Sequence, residues 1–440
     1  MNFNSNEKEG PRYLQIYEYY KELITNEDLK EESKLPSIRK GAEQLQVSRT
    51  TMESAYMLLL AEGYIVSKPQ SGFYVTDIVR KKKESSPVRI VRTPDERQMK
   101  YDFVTSNVDR QSFRFDLWRR YVKNALRQDE RLLSYGEPQG EKEFREVLAG
   151  YLKKNRSVVC SPEQIVIGAG VQSLLHILCS LIEGRKKVAF QSRRFIQGQT
   201  IFEDHGFTLQ EDYRDKDTGV YYMSPSYLWS KDSMMNVSER MDLIREAGKR
   251  DILIIEDDYN SEFRYFQRPV PSIQGLAGGR GVVYIGTFSK MLLPSIRMSY
   301  MVLPPEMLAR YEKKKSRYNQ TASKAEQIAI SQFIRDGQLE RQIRKSRKIH
   351  MMKSEALKEA VQEVFGKKGR VQMDEGVFSV LLQLDTDTPA EVIAERLKEK
   401  DVAVFPLEKV EKGRAEFLLS CTNVDIKDYN EALLLIRECL

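Results

Sequence analysis

From Thr76 to about Arg97 the sequence turns polar and charged, contains Ser85-Ser86-Pro87, and holds no sustained hydrophobic period. A stretch with so little to bury cannot belong to the core on either side of it, so it reads as a linker between separately folding domains. Length points the same way, because 440 residues exceed what one ordinary core organises. The expected parts are residues 1–76, a charged linker at 77–98, and a large domain at 99–440. No run is apolar for long enough to span a bilayer, and the N-terminal MNFNSNEKEG has no signal-peptide core, which makes the cytoplasm the expected compartment. Cys160, Cys179, Cys421 and Cys439 lie far apart, as do His176, His205 and His350. Neither set has zinc-site spacing, so neither a metal centre nor a disulfide framework is expected.

The first 76 residues predict three helices and a hairpin. Residues 13–24 carry an apolar stripe at Leu14, Ile16, Tyr17, Tyr20 and Leu23. Ser37 is placed to cap a short helix that buries Ile38, Ala42 and Leu45. A tight turn at Gln46 and Val47 leads to Ser48, the cap of another helix, which buries Met52, Ala55, Tyr56 and Leu59. Ser48, Arg49, Thr50 and Thr51 are left at its exposed N-terminal end. Gly63 stops that helix, and residues 64–66 and 73–75 read as strands around the turn Lys68-Pro69-Gln70-Ser71-Gly72. This pattern fits a generic three-helix domain as well as a DNA reader. Charge does not separate the two. The chain carries +7 overall, but residues 1–75 hold nine Lys and Arg against eleven Asp and Glu, while residues 76–100 hold eight against four, including Arg80-Lys81-Lys82-Lys83.

Residue identities do separate them. LPSIRKGAEQLQVSRTTMESAYMLLLAEGYI, followed by a wing ending in SGFYV, closely resembles the DNA-binding domain of the GntR superfamily. The resemblance implies a winged helix-turn-helix whose partner is double-stranded DNA. Arg39 and Arg49 would contact phosphates or bases, supported by Ser48, Thr50 and Thr51, with the wing tip at Gln70 to Gly72.

Beyond the linker, short β-rich runs alternate with amphipathic helical stretches, the pattern of an α/β domain with a largely parallel sheet. Strands are expected at 165–167, 187–190, 220–223, 252–255, 282–285 and 297–303. A long basic helical stretch covers 307–365. The tail, with strands at 377–384, 402–404 and 417–420 and two helices, predicts a small α+β subdomain.

Three motifs carry chemistry. Ile285-Gly286-Thr287-Phe288-Ser289-Lys290 is a strand entering a small-residue turn that ends on a lysine, which can form a Schiff base once its amine is desolvated. Ile254-Ile255-Glu256-Asp257-Asp258-Tyr259 puts acids at the carboxyl end of an apolar strand, where open α/β sheets bind ligands. Such acids can hold a pyridinium nitrogen protonated, cap a helix, or pair with Arg264. Gly168-Ala169-Gly170-Val171-Gln172 is a glycine turn opening a helix whose amides can cradle a phosphate.

Taken together, IIEDDYNSEFRY and YIGTFSKMLLPSIRMSYMVLP closely resemble the pyridoxal 5'-phosphate (PLP) core of fold-type I aminotransferases. Such a core behind a GntR-type domain is the arrangement of the MocR subfamily, which SYGEPQGEKEFREVLAGYLKKNR and FIRDGQLERQIRKSRKIH also resemble. The resemblance implies Lys290 as the Schiff-base lysine, Asp257 at the pyridine nitrogen and Tyr259 at the ring hydroxyl. It implies phosphate binding by Thr287, Arg297 and the amides of Val171 and Gln172, stacking by Phe195, and Tyr135 reaching the site of a neighbouring subunit. Two departures stand out. The usual His-Gln-aromatic-Pro-Thr-Gly turn is replaced after Ser226 by Tyr227-Leu228-Trp229-Ser230-Lys231-Asp232. Nor does Glu416-Phe417-Leu418-Leu419-Ser420-Cys421 contain the arginine that clamps a substrate carboxylate in aminotransferases; Arg414 is out of register, and Ile196 and Gln197 follow Phe195.

The function this implies is a homodimeric regulator that reads two operator half-sites and senses PLP or a small amino compound, without steady-state turnover. The alternatives are a working aminotransferase with an appended DNA-binding domain, and a DNA binder that uses its second domain as a dimerisation scaffold. Retention of Lys290, Asp257, Tyr259 and Arg297 speaks against the bare scaffold.

Overall fold

The structure, a computed structural model, describes residues 11–76, 99–104, 108–192, 195–225, 235–259, 261–263, 270–373, 379–407 and 413–440. The chain divides into two compact units, residues 1–97 and 98–440.

In the first unit α1 (Arg12–Thr25), α2 (Ile38–Gln44) and α3 (Arg49–Ala61) precede a hairpin of β1 (Ile65–Lys68) and β2 (Gly72–Val75), paired from Ile65↔Val75 to Lys68↔Gly72. Both serine caps form: the hydroxyl of Ser37 accepts from the Lys40 amide and that of Ser48 from the Thr51 amide. Tyr56 is the hub. Its ring meets Tyr20 of α1 edge-on at 5.6 Å and Phe73 of the hairpin at 5.0 Å, and its hydroxyl donates to the Pro36 carbonyl at 3.0 Å. One buried side chain therefore ties helix, turn and wing together without leaving a polar atom unanswered. The expected stripe of α1 needs correction. Ile16, Tyr17, Tyr20 and Ile24 are buried, whereas Leu14 is exposed and Leu23 lies only at the margin. Leu14 is two residues from Ile16, roughly 200° round the helix, and so faces away from the core.

The second unit is built on a seven-stranded sheet of β4 (Ile165–Gly168), β5 (Lys187–Phe190), β6 (Thr208–Gln210), β7 (Val220–Met223), β8 (Leu253–Asp257), β9 (Val282–Thr287) and β10 (Ser299–Val302). The order is β4-β10-β9-β8-β7-β5-β6, and β10 runs antiparallel to both of its neighbours. Strand alternation sorts residues to two covered faces: Ile167, Tyr284 and Tyr300 pack in one cluster, and Val166, Ile285 and Met301 in another. Residues 297–303 are expected as one strand, but β10 starts only at Ser299. Arg297 is left-handed (φ 50°, ψ 42°) and caps the short 3-10 turn Pro294–Ile296. The edge strand β6 is missing from the sequence reading because three partly exposed residues carry too little pattern to register.

A 28-residue helix, Gln338–Phe365, leaves this layer for the smaller subdomain. Leu339 and Ile343 belong to the core under the sheet, whereas Leu357, Val361 and Phe365 belong to the core of the tail. That tail has a four-stranded antiparallel sheet ordered β11 (Gly369–Gln372), β12 (Ser379–Asp385), β15 (Arg414–Ser420), β14 (Phe405–Pro406). Helices Ala390–Glu399 and Tyr429–Glu438 cover it, and β13 (Val402–Ala403) pairs in parallel with β3 (Tyr101–Asp102).

Gly286 of β9 lies opposite Tyr300 of β10, and a Cβ there would meet the buried Tyr300 ring at 2.3 Å. Gly286→Ala should lower the stability of the large unit by about 1–3 kcal/mol, because the ring has no free volume to move into. Chemical denaturation followed by far-UV circular dichroism checks this; an unchanged midpoint would contradict the packing described.

Candidate functional site

The carboxyl ends of β8 and β9 are neighbours in the parallel sheet, with Asp257 opposite Ile285. Three consecutive acids emerge there, and alternation parts them. Glu256 accepts from the amides of Ile273 (2.8 Å) and Gln274 (2.9 Å), capping the short helix Ile273–Leu276. Asp258 accepts from Arg156 Nε at 2.6 Å and from the Tyr284 hydroxyl at 2.5 Å. Arg156 beside it holds the Asp258 carboxyl below its ordinary range despite full burial. Asp257 points the other way, where its Oδ2 accepts from the Tyr222 hydroxyl at 2.6 Å. Its Oδ1 is buried and has no hydrogen-bond partner among the described residues. Burial pushes this carboxyl up to about 6, against the lowering effect of the Tyr222 bond. A half-buried acid with one buried, unanswered oxygen fits a cationic N–H donor. Of the two structural readings open for these acids, helix capping holds for Glu256, while Arg264 lies outside the described residues.

Lys290 sits in the turn just after β9, 6% exposed, with Nζ 5.3 Å from the centre of the Tyr259 ring. Desolvation lowers its amine to about 7. A lysine in that state is half deprotonated at neutral pH and is a competent nucleophile. Beside Asp257, the ring of Tyr222 lies 5.4 Å from that of Phe195, the residue that opens helix Ile196–Asp204. Gly198 makes room for Phe195, since a Cβ there would lie 2.2 Å from its ring.

The third part is a cradle for an anion. Gly170 (φ 90°) caps helix Val171–Leu181, whose first amides, at Val171 and Gln172, have no intrahelical acceptor. A Cβ at Gly170 would come within 2.7 Å of Arg297 Nη2, so the guanidinium lies directly over this helix start. Thr287 joins a hydroxyl cluster, receiving a bond from Ser299 (3.0 Å) and donating towards Ser289 (3.1 Å). A helix N-terminus, an arginine and clustered hydroxyls together suit a phosphate. Tyr135 is fully exposed on the chain's own surface.

In the first unit Arg49 and Thr50 are exposed at the start of α3. The hydroxyls of Ser48 and Thr51 bond to each other at 2.7 Å and serve the cap. Arg39, on α2, is exposed and pairs with Glu43 at 3.2 Å. Gln70 and Gly72 both take positive φ at the hairpin tip. The segment from Ser226 to Asp232 lies outside the described residues. Among the described residues no helix is long and apolar enough to cross a membrane, and no group of three or more His, Cys, Asp or Glu could hold a metal ion.

Tyr222, Ser289, Arg156 and Gly198 belong to this site or support it, yet the sequence reading gives them no role. Tyr222 is 35 residues from Asp257 and Arg156 is 102 from Asp258, so no local motif announces either pair.

A helix-turn-helix unit joined to an aminotransferase-like unit defines the class, and comparison with known proteins agrees. Residues 12–75 match the family of bacterial regulatory proteins, gntR family, and residues 233–434 match aminotransferase class I and II. The chain is 36% identical over 414 residues to the uncharacterized HTH-type transcriptional regulator YdeL of Bacillus subtilis, covering 90% of this chain and 89% of that protein. It is 30% identical over 370 residues to the probable rhizopine catabolism regulatory protein MocR of Rhizobium meliloti, covering 77% and 75%. The large unit shares its fold with a kynurenine aminotransferase of Pyrococcus horikoshii, solved with PMP (TM-score 0.65, 21% identity, 87% of this chain and 98% of that one). This chain belongs to the GntR family of transcription regulators, in the MocR-type group that carries a fold-type I aminotransferase domain, a fold whose members bind PLP.

The Lys290 environment makes a measurable claim about pH. On the cofactor-free protein, labelling of Lys290 by limiting acetic anhydride should rise about tenfold between pH 6 and 8 and then level off, as the neutral fraction of a group near 7 does. A solvated lysine, near 10.4, keeps rising far beyond that range. Quantitative mass spectrometry reads both, and a Lys290 profile like that of a solvated amine would refute the desolvation.

Proposed function

We propose that this regulator holds PLP covalently at Lys290 and senses PLP itself or a small amino compound, passing occupancy to winged domains that read two operator half-sites as a homodimer. One observation carries the reading: a buried lysine lowered to about 7 in the turn after β9, at the carboxyl end of the strand next to the one that ends in an acid with an unanswered oxygen. When bound, PLP supplies an electrophilic carbonyl and an electron-withdrawing ring. Lys290 would hold it through its neutral amine, and Asp257, fixed by Tyr222, would accept the ring N–H and keep that proton in place. Arg297, Thr287 and the amides of Val171 and Gln172 take the phosphate; Tyr259 serves the ring hydroxyl and Phe195 stacks on the ring. Tyr135, exposed on its own chain, is contributed to the neighbouring copy. Arg49 and Arg39 meet DNA phosphates or base edges with Thr50 in support, and the hairpin tip at Gln70 and Gly72 reaches an adjacent groove.

The site is equipped to exchange amines at Lys290 and is poorly equipped to turn over amino acids. Arg414 of β15 is drawn towards Asp385, with 3.8 Å between Nε and Oδ1, while Glu416 of the same strand accepts from Gln383 at 2.6 Å. No arginine lies at 415–421, where a carboxylate clamp would be needed to hold substrate in register through two half-reactions.

Two variants test the reading. After incubation with PLP and reduction by borohydride, the peptide bearing Lys290 should carry the phosphopyridoxyl mass, and Lys290→Ala should abolish the protein's uptake of cofactor. Undiminished uptake by that variant would sink the assignment. Arg49→Ala should weaken operator binding by about 1–3 kcal/mol while leaving cofactor uptake unchanged, and normal operator affinity would displace α3 as the recognition helix. A coupled assay with common amino-acid and 2-oxo-acid pairs should show negligible multiple turnover; robust turnover would put the enzyme reading first.

A further inference from the structure

The recognition unit is short of the charge that its function calls for. Residues 12–75 hold eight Lys and Arg against nine Asp and Glu, although the chain as a whole carries +7. Duplex binding draws much of its free energy from cations that displace condensed counterions from phosphates. Those cations must lie largely elsewhere on the chain.

A dense group of them stands on the aminotransferase-like unit. Residues 114–127, which contain helix Phe115–Leu126, hold five cationic residues against one acid; residues 335–348, at the start of the long helix, hold six against two. The two segments pack round helix Lys324–Arg335: Tyr121 donates to Asp336 at 2.6 Å, and its ring meets Phe333 at 5.1 Å. Arg120 and Arg341 both lie near enough to Tyr121 to favour its ionised form, so the two rows of charge meet there. Spacing puts each row on a ridge, with Arg120 and Lys123 three apart and Arg344, Lys345 and Lys348 three, four and seven residues after Arg341. All six are exposed, and none forms an ion pair among the described residues. The local acids are already engaged: Asp116 by Arg119 (2.7 Å), Asp336 by Tyr121, and Glu340 by Lys154 (3.8 Å). Arg347 is turned inward to the Glu262 carbonyl and takes no part in the ridge.

We infer that this cationic ridge is a second DNA surface, which takes backbone phosphates of the duplex outside the segment read by α3. It reads no sequence. Its contribution is affinity and the path of the flanking DNA. An acidic membrane would also attract cations, but the duplex is the polyanion that a helix-turn-helix regulator already meets. The inference rests on the reading of this chain as a DNA-binding regulator.

The test uses the full chain and a random-sequence 60-bp duplex, titrated by fluorescence anisotropy across salt concentrations. Arg120→Gln, Lys123→Gln, Arg341→Gln and Arg344→Gln are combined in one variant. Lys358→Gln, Lys367→Gln, Lys368→Gln and Arg370→Gln, combined in a second, remove as much charge from the small subdomain. The slope of log K against log salt should flatten by about 3.6 in the first variant, at about 0.9 per lost phosphate contact, and by less than 1 in the second. At 0.1 M salt the first variant should lose at least tenfold in affinity. Equal slopes in wild type and first variant overturn the ridge, as does an equal loss in the control, or a ridge-dependent capture of phosphatidylserine vesicles with DNA binding unchanged. If the first variant fails to fold, Lys345→Gln with Lys348→Gln carries the test, with a flattening of about 2 expected. Failure of the wild type to bind any duplex would refute the regulator reading along with the inference, whereas an unaltered slope refutes the inference alone.

Discussion

Placing Glu256 and Asp258, both buried, and the half-buried Asp257 at the end of one strand is the constraint to which the rest of the large unit answers. An ionised carboxylate without a partner is costly inside a protein, so each of these acids dictates something around it. Glu256 dictates the helix at Ile273, whose first amides it caps. Asp258 dictates the burial of Arg156 and the hydroxyl of Tyr284 across the β8–β9 pair. Asp257 has only Tyr222 among the described residues and keeps one oxygen open. The chain itself answers both oxygens of Glu256 and gives Asp258 a cation in Arg156, although Asp258 Oδ1 also has no hydrogen-bond partner among the described residues. The third acid, Asp257, has no cation among the described residues, and on the proposed reading the cofactor's ring N–H supplies it.

The long helix extends that constraint across the unit. Its first turns pack under the sheet and its last turns form the floor of the small subdomain. Between them Lys353, nearly fully buried, pairs with Asp109 at 2.6 Å and donates to the carbonyls of Thr422 and Val424 at 3.2 Å. Such a buried pair adds little net stability over an apolar contact, but removing one partner leaves the other's charge stranded. Its value is positional. It fixes where the small subdomain meets the segment that leads into the sheet.

How much of this the sequence discloses depends on whether the interactions are local. The caps at Ser37 and Ser48, the strand ending in Glu256 to Asp258, and the turn ending at Lys290 are written in consecutive residues and can be read there. The partners that give those residues their properties are not. Nothing near Tyr222 in the sequence announces Asp257, and the anion cradle joins Gly170 to Arg297 across 127 positions. Arg297 shows a further limit. Its neighbours Met298 to Leu303 are β-rich and draw it into an expected strand, yet its left-handed backbone is what turns the guanidinium back over the helix start. Periodicity gives the face that a residue occupies; it does not give the long-range partner, nor a single residue that departs from its neighbours.

The burial of Lys290 also bears on why such a site suits a sensor. Desolvation holds its amine at about 7, where a solvated lysine sits near 10.5, so about half of it is neutral and able to engage a carbonyl at neutral pH. An enzyme must direct its binding energy to a transition state and then let product go. A regulator needs only that two states differ in their affinity for one ligand. On the proposed reading, a site that keeps the lysine, the acid and the phosphate cradle, but lacks an arginine where substrate carboxylates are clamped, retains the part of aminotransferase chemistry that generates such a difference.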